Sequence, residues 1–134
     1  MKEAEQKAAV EDSEIFNYLR EGDIDSVMNW IDQTECLDVA DVDGSTVLHT
    51  AAYYGMVQVV QMLLKKAVNV NAYDENYQTP LHLAAMKGHV AVVDLLLQHQ
   101  ADVTSIDSEG QSPLDWAHMM GFSDIISMLE SPNN

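Results

Sequence analysis

Histidine and carboxylate side chains are the groups in this sequence that could transfer protons or bind a metal. His82, His89 and Asp115 form the set that could surround a metal or hydrolytic site, since imidazole and carboxylate groups ligate zinc and act as acids and bases. The chain contains no HExxH pair, no GxSxG turn and no glycine-rich phosphate loop with its lysine. We therefore predict a protein that is not an enzyme and binds neither a metal nor a cofactor, with the three-residue site as the minor alternative.

The charge balance is strongly acidic. Six Lys and Arg stand against 22 Asp and Glu, which gives a formal net charge of -16. Such a field opposes binding to a phosphate backbone, so we predict that nucleic acid is not a partner. Thirteen of the acidic residues precede Gly44, and this end of the chain would attract a partner protein with a basic surface. The alternative is that the charge only keeps the protein soluble.

Cysteine content and hydropathy indicate the compartment. Cys36 is the only cysteine, so no disulfide can form within the chain and a reducing environment is expected. No stretch of about eighteen apolar residues is present, and the first residues lack the apolar segment of a signal peptide. We expect an intracellular protein, cytoplasmic and also nuclear, without direct membrane insertion. Residues 1–12 are predicted to be a polar tail or a helical extension.

The positions of the histidines are set by an internal repeat. The stretch "TPLHLAAMKGH" at 79–89 is echoed by "TVLHTAAYYGM" 33 residues earlier and by "SPLDWAHMMGF" 33 residues later. The same period also aligns glycines and aspartates along the chain: Gly22, Gly55, Gly88 and Gly121, then Asp41, Asp74 and Asp107. Repetition of one short unit indicates a solenoid in which each unit packs on its neighbours.

Each unit carries signals for two helices. Thr46, Thr79 and Ser112 are N-cap residues, with a proline after two of them, so short helices are predicted at about 48–54, 81–87 and 114–120. The glycine that follows each helix accepts a left-handed conformation and ends it. A second helix follows at once. Its apolar stripe is predicted to contain Val57, Val60, Leu63 and Leu64 in one unit, and Val90, Val93, Leu96 and Leu97 in the next.

A 33-residue unit with the pattern T-P-L-H-x-A-A-x-x-G resembles the ankyrin repeat, and the resemblance extends from residue 13 to about 130. It implies an all-α solenoid of four helix-turn-helix repeats joined by hairpin-like loops. The predicted ankyrin-repeat domain covers 13–134, with repeats at about 13–43, 44–76, 77–109 and 110–134. The resemblance also implies that His49 and His82 form structural hydrogen bonds rather than catalytic contacts.

Several positions depart from the repeat pattern. Thr34, Ala67 and Gln100 stand where the second helix usually ends with glycine, and Tyr77 stands at a loop-glycine position. Each costs about 1 kcal/mol if the backbone there has a positive φ. Asp115 replaces the histidine of the last unit, which leaves the local bonding of that turn open.

The resemblance implies a concave binding face, formed by the loops between repeats and the exposed side of the short first helices, and termed the concave face here. Its predicted protein-binding residues are Tyr53, Tyr54, Tyr77, Gln78, Met86, Lys87, Gln111, Trp116, Met119 and Met120. Aromatic and methionine side chains are frequent in interfaces. The alternative for Trp116, Met119 and Met120 is that they pack into the last repeat.

These features predict a non-catalytic module that is monomeric alone and binds another protein through the concave face, as a stoichiometric regulator or adaptor. One alternative is a targeting or scaffolding domain of a larger protein. Another is an adaptor that oligomerises through Met119 and Met120.

Overall fold

The computed structural model describes residues 14–131, and within that range the protein is all helical. The helices are α1 (described over 14–21), α2 (Ile24–Gln33), α3 (Val47–Tyr54), α4 (Val57–Lys65), α5 (Pro80–Lys87), α6 (Val90–Gln98), α7 (Pro113–Met120) and α8 (Ser123–Glu130). An isolated bridge between Ala40 and Thr46 is the one β-type pairing in the described part of the chain. The predicted all-α class is confirmed. The predicted tail at 1–12 lies outside the described residues.

The helices form two layers. The short first helices pack side by side, α3 against α5 and α5 against α7, while the second helices α2, α4, α6 and α8 pack in the same order behind them. Within each unit the two helices also contact each other, as in α3 with α4 and α5 with α6. This is the stacked helix-turn-helix arrangement of a repeat solenoid, in which each unit contacts only its neighbours.

Local hydrogen bonds explain where the first helices begin and end. The Thr79 hydroxyl accepts from the backbone N–H of His82, and the Nδ1 atom of His82 accepts from the backbone N–H of Thr79 at 3.0 Å. The helix stops at Gly88, whose φ of 79° is left-handed. Both termini are therefore specified within a few residues of sequence, since orphan N–H groups are capped and glycine carries no Cβ penalty. The same box opens α3 and α7.

Small residues allow the first helices to pack closely. Ala51, Ala52, Ala84, Ala85 and Ala117 are all fully buried between neighbouring units. On the second helices the buried stripe differs from the prediction. Val59 and Val92 are fully buried, whereas Val57 is only half-buried and Val90 is exposed. Assigning Val90 to the stripe was wrong, because this residue opens α6 and is not among the side chains that pack against the core. Val57 opens α4 and does pack against the core, although it is only partly buried.

Among residues 14–131, three residues other than glycine adopt a positive φ. Ala67 has φ 61° and Gln100 has φ 67°, as predicted for the ends of α4 and α6, and Tyr77 has φ 59° at its loop position. Thr34 does not have a positive φ like Ala67 and Gln100, because its φ is -100° and its backbone is extended. Helix α2 continues one position further than α4, to Gln33, and leaves the helix directly in an extended conformation. The expectation of strain at Thr34 is therefore wrong.

Aromatic rings of one unit lie against the turn glycine of the unit before it. A Cβ placed on Gly88 would come within 2.8 Å of the Phe122 ring, so this position requires glycine for space as well as for its φ. The turn glycine thus serves both the end of its own helix and the packing of the next repeat.

Candidate protein-binding surface

The C-terminal ends of α3 and α7 present large apolar side chains to solvent. Tyr53 and Tyr54 are 37% and 44% exposed, and Met119 and Met120 are 60% and 47% exposed. They follow fully buried alanines, Ala51 and Ala52 in α3 and Ala117 in α7. The two tyrosines are exposed, as predicted from the helical period. The two tyrosine rings meet edge to face with centroids 5.0 Å apart. These four residues lie on the two first helices that flank α5.

The loops between repeats also carry exposed apolar side chains. Val42, Tyr73, Tyr77 and Ile106 are exposed and all lie in loops. Tyr73 and Tyr77 contact each other edge to face, with centroids 6.1 Å apart. Among the exposed large apolar residues of the described chain, only Val90 lies on a second helix. Within residues 14–131, the loops and first helices therefore carry all but one of the exposed large apolar residues.

Sequence reasoning did not identify Tyr73 and Ile106. Both directly precede a repeated loop aspartate, and that alignment is the signal that could have found them.

Some residues assigned to the concave face are partly turned inward. Met86 is half-buried, unlike its counterparts Tyr53 and Met119. Lys87 is exposed, and its Nζ atom lies 4.7 Å from the centroid of the Tyr53 ring, which is a cation–π contact. Gln78, Gln111 and Trp116 are half-buried and form hydrogen bonds within the protein. Their surfaces are thus less available to a partner than those of the tyrosines.

His49 and His82 connect each repeat to the next. The Nδ1 atom of His49 accepts from the backbone N–H of Thr46 at 3.1 Å, and its Nε2–H donates to the carbonyl oxygen of Gln78 at 2.8 Å. His82 repeats this with Thr79 and with the carbonyl of Gln111, at 3.0 Å each. The implied structural hydrogen bond is present, and it reaches the following loop as well as its own turn.

Burial lowers the pKa of both histidines below the ordinary value of 6.5, against the opposing effects of the accepting carbonyls and the nearby aspartates. Both are therefore neutral at physiological pH, with both ring nitrogens engaged. Such a ring has no free lone pair with which to act as a base or a metal ligand.

The residues of the alternative enzyme site each form a hydrogen bond to a different backbone group. The Nε2 atom of His89 bonds to the carbonyl of Tyr53 at 2.9 Å, and the Asp115 carboxylate accepts from the backbone N–H of Ser112 at 3.0 Å. In residues 14–131, no three His, Cys, Asp or Glu side chains are grouped so that they could hold a metal ion. Asp115 therefore caps α7 and makes no contact with the next loop of the kind that His82 makes.

The three aligned loop aspartates organise the loops. One carboxylate oxygen, Oδ1, accepts two backbone N–H groups of its own loop in Asp41, Asp74 and Asp107 alike. In Asp107 the other oxygen, Oδ2, also accepts from Trp116 Nε1 at 2.9 Å and from Gln78 Nε2 at 3.2 Å. Burial acts to raise the pKa of Asp107, but these donors outweigh it and hold the pKa below 3.8. Trp116 is thereby fixed to the loop that precedes its helix.

A cleft of about 240 Å³ opens on the concave face between the loops of Asp41 and Asp74. It is lined by Arg20, Asp41, Ser45, His49, Thr50, Tyr53, Tyr54, Asp74 and Leu83. The tyrosines at the end of α3 line one part of it and the loop aspartates another. Apart from Tyr53 and Tyr54, the predicted site residues do not line this cleft.

Short helices are stacked in pairs, and α3, α5 and α7 each begin at a capping box and end at a left-handed glycine. These features define a helical-repeat protein with an exposed face built from loops and first helices. Family models identify the kind of helical repeat. A family model for ankyrin repeats in three copies matches residues 66–133, just over half of the chain, and a model for ankyrin repeats in many copies matches residues 34–84. The chain belongs to the ankyrin-repeat family. No match to the chain was found among the curated proteins.

Proteins of this family are generally non-catalytic modules for binding other proteins. Within residues 14–131, no helix has the length and apolar content needed to cross a bilayer.

Proposed function

We propose that the protein binds a partner protein through its concave face and acts, without chemistry of its own, as a stoichiometric regulator or adaptor in the cytoplasm or nucleus. The observation that carries the proposal is the distribution of exposed apolar surface. Tyr53, Tyr54, Met119 and Met120 are exposed on the first helices, and the other exposed large apolar residues of this face lie in the loops. Exposed apolar groups collected on one face mark interaction sites.

The composition of the face supports the same proposal. Aromatic side chains supply large contact area at a low cost in conformational entropy, and methionine adapts to irregular partners. Tyr53 and Tyr54 already hold each other in an edge-to-face contact, and Lys87 adds a cation over the Tyr53 ring. A partner would meet a partly ordered aromatic surface, so less freedom would be lost on binding.

The test is a comparative pull-down from cell extract, with captured proteins identified by mass spectrometry. Tyr54→Ser combined with Met120→Ser removes two exposed anchors from the concave face. Val90→Ser is the matched control, because Val90 is 42% exposed, close to the 47% of Met120, but lies on α6. We expect a partner that is captured by the unmodified chain and by Val90→Ser but lost with the double variant. A partner lost with Val90→Ser and retained by the double variant would place the interface on the second helices and overturn the proposal.

A further inference from the structure

The last of the three loop aspartates, Asp107, shows which donors the second carboxylate oxygen can accept. In the last loop, the Oδ2 atom of Asp107 accepts from the indole N–H of Trp116 and from the side-chain amide of Gln78. Both donors come from outside the loop that holds the aspartate. A repeated loop aspartate thus presents one oxygen to its own backbone and the other to incoming N–H donors.

The two earlier loops have the same aspartate without these donors. Thr50 and Leu83 occupy the repeat position of Trp116, and Ser45 occupies the position of Gln78 relative to Asp74. Among residues 14–131, no side chain donates to the Oδ2 atom of Asp41 or Asp74. The cleft described above opens at these two carboxylates.

The cleft has the size and the walls for an inserted side chain. Its volume of about 240 Å³ is several times the roughly 30 Å³ that one water molecule occupies in the liquid. Tyr53 and Tyr54 supply aromatic surface, Leu83 supplies apolar surface, and the two aspartates supply acceptors. A matching side chain combines a flat or apolar stem with N–H donors at its end.

Charge selects among such side chains. The whole chain carries a formal charge of -16, and the exposed Asp43 and Glu75 neighbour the two loop aspartates in sequence. Tyrosine faces attract cations, and the contact of Lys87 with Tyr53 shows this within the protein. Arginine fits better than lysine, because its planar guanidinium both stacks on aromatic rings and donates in a fork to carboxylates.

We infer that the cleft between Asp41 and Asp74 binds an arginine side chain presented by a basic segment of the partner protein. The inference rests on the proposed function and adds to it the chemistry of the partner. The guanidinium donates to the Oδ2 atoms that lack internal donors, while its face lies against the tyrosines. Specificity comes from this local pairing, and the overall negative field accelerates the encounter.

Arg20 is the cation that already lines the cleft. Its Nη2 atom donates to Asn17 Oδ1 at 2.8 Å, so its guanidinium is held by its own helix. A second guanidinium in the cleft would be repelled by this charge. Removing the charge with Arg20→Ala is therefore expected to strengthen binding, which gives the test a variant that acts in the opposite direction.

The test measures binding of an acetylated and amidated tetra-arginine peptide by fluorescence anisotropy at constant ionic strength. Tetra-citrulline is the uncharged control, since citrulline has nearly the same shape. Asp41→Asn combined with Asp74→Asn removes two carboxylate charges and keeps an oxygen for the loop N–H groups. Asp32→Asn combined with Asp94→Asn removes the same charge from exposed positions on second helices. Urea unfolding of every variant checks that the fold is intact.

We expect Asp41→Asn with Asp74→Asn to weaken tetra-arginine binding by about tenfold, which corresponds to the loss of one net charge-assisted hydrogen bond. Asp32→Asn with Asp94→Asn should change binding by less than about twofold, because exposed charges contribute little. Tetra-citrulline should not bind. If the two pairs of substitutions weaken tetra-arginine binding equally, the effect is diffuse electrostatic attraction. If tetra-citrulline binds as tightly as tetra-arginine, binding does not require charge. Either result, or no binding of tetra-arginine by the unmodified chain, would overturn the inference.

The pull-down separates this inference from the proposed function. A partner that is lost with Tyr54→Ser and Met120→Ser but retained by Asp41→Asn and Asp74→Asn would leave the proposed function standing and overturn the arginine site. Tetra-arginine binding at the cleft without any captured partner would support the site and count against the proposed function alone.

Discussion

One repeat position provides a prediction with an internal control. Ala67 and Gln100 end the second helices of their units with φ values of 61° and 67°, whereas Thr34 in the equivalent position has a φ of -100°. A residue with a Cβ pays about 1–2 kcal/mol in the left-handed region. Glycine avoids this cost but makes the unfolded chain more flexible, which costs about 0.5–1 kcal/mol. The same substitution should therefore have opposite signs at these positions.

We expect Ala67→Gly and Gln100→Gly each to raise the free energy of unfolding by about 0.5–1 kcal/mol. Both side chains are exposed, so little burial is lost. Thr34→Gly should lower the free energy of unfolding by a similar amount, because only the entropic cost applies there. The prediction thus depends on backbone conformation and not on the general effect of adding glycine to a helix end.

The assay is equilibrium urea unfolding, followed both by circular dichroism and by tryptophan fluorescence. With a urea dependence of about 2 kcal/mol per molar, the two stabilising variants should shift the midpoint upward by roughly 0.3–0.5 M. Coincident transitions by both probes are required, since a repeat protein can unfold in parts. Midpoints that fall in all three variants would show that the left-handed backbone at Ala67 and Gln100 carries no relievable strain.

Three further predictions concern the core, the loop aspartate and the histidines. Leu81→Ala should lower the free energy of unfolding by about 2–5 kcal/mol, because Leu81 is fully buried and leaves a cavity; a smaller loss of urea stability would contradict its place in the core. Trp116→Phe should cost about 1–3 kcal/mol and raise the pKa of Asp107, because one of its donors is lost; carbon-13 NMR titration of the carboxylate would measure the pKa, and an unchanged value would contradict the bond. The free energy of unfolding should be constant above about pH 6.5 and should decrease as the pH falls below it. The reason is that burial depresses the pKa of His49 and His82 in the folded chain. Below about pH 6.5 the unfolded chain therefore binds protons that the folded chain does not. Urea midpoints that stay constant between about pH 7 and pH 5 would contradict the contribution of these histidines.

The sequence was sufficient for the repeat and for most helix termini because these depend on nearby residues. Thr79 and His82 close their capping box across three positions, and Gly88 ends the same helix eight residues after Pro80 begins it. The left-handed conformations of Ala67 and Gln100 also followed from the repeat alone. Each of these features is a local hydrogen bond or a local steric requirement, which the identity of a few neighbouring residues determines.

Tertiary structure decided the features that depend on residues about one repeat apart. The sequence aligns Asp41, Asp74 and Asp107, but only packing shows that Gln78 and Trp116 donate to the third of them. Among residues 14–131, no side chain donates to the Oδ2 atom of the first two. The full burial of Val59, against the partial burial of Val57, likewise depends on how adjacent helices meet. The sequence alone therefore determined the family and its repeated elements. The cleft and the position of its two carboxylates arise from distances between repeats, which no local pattern encodes.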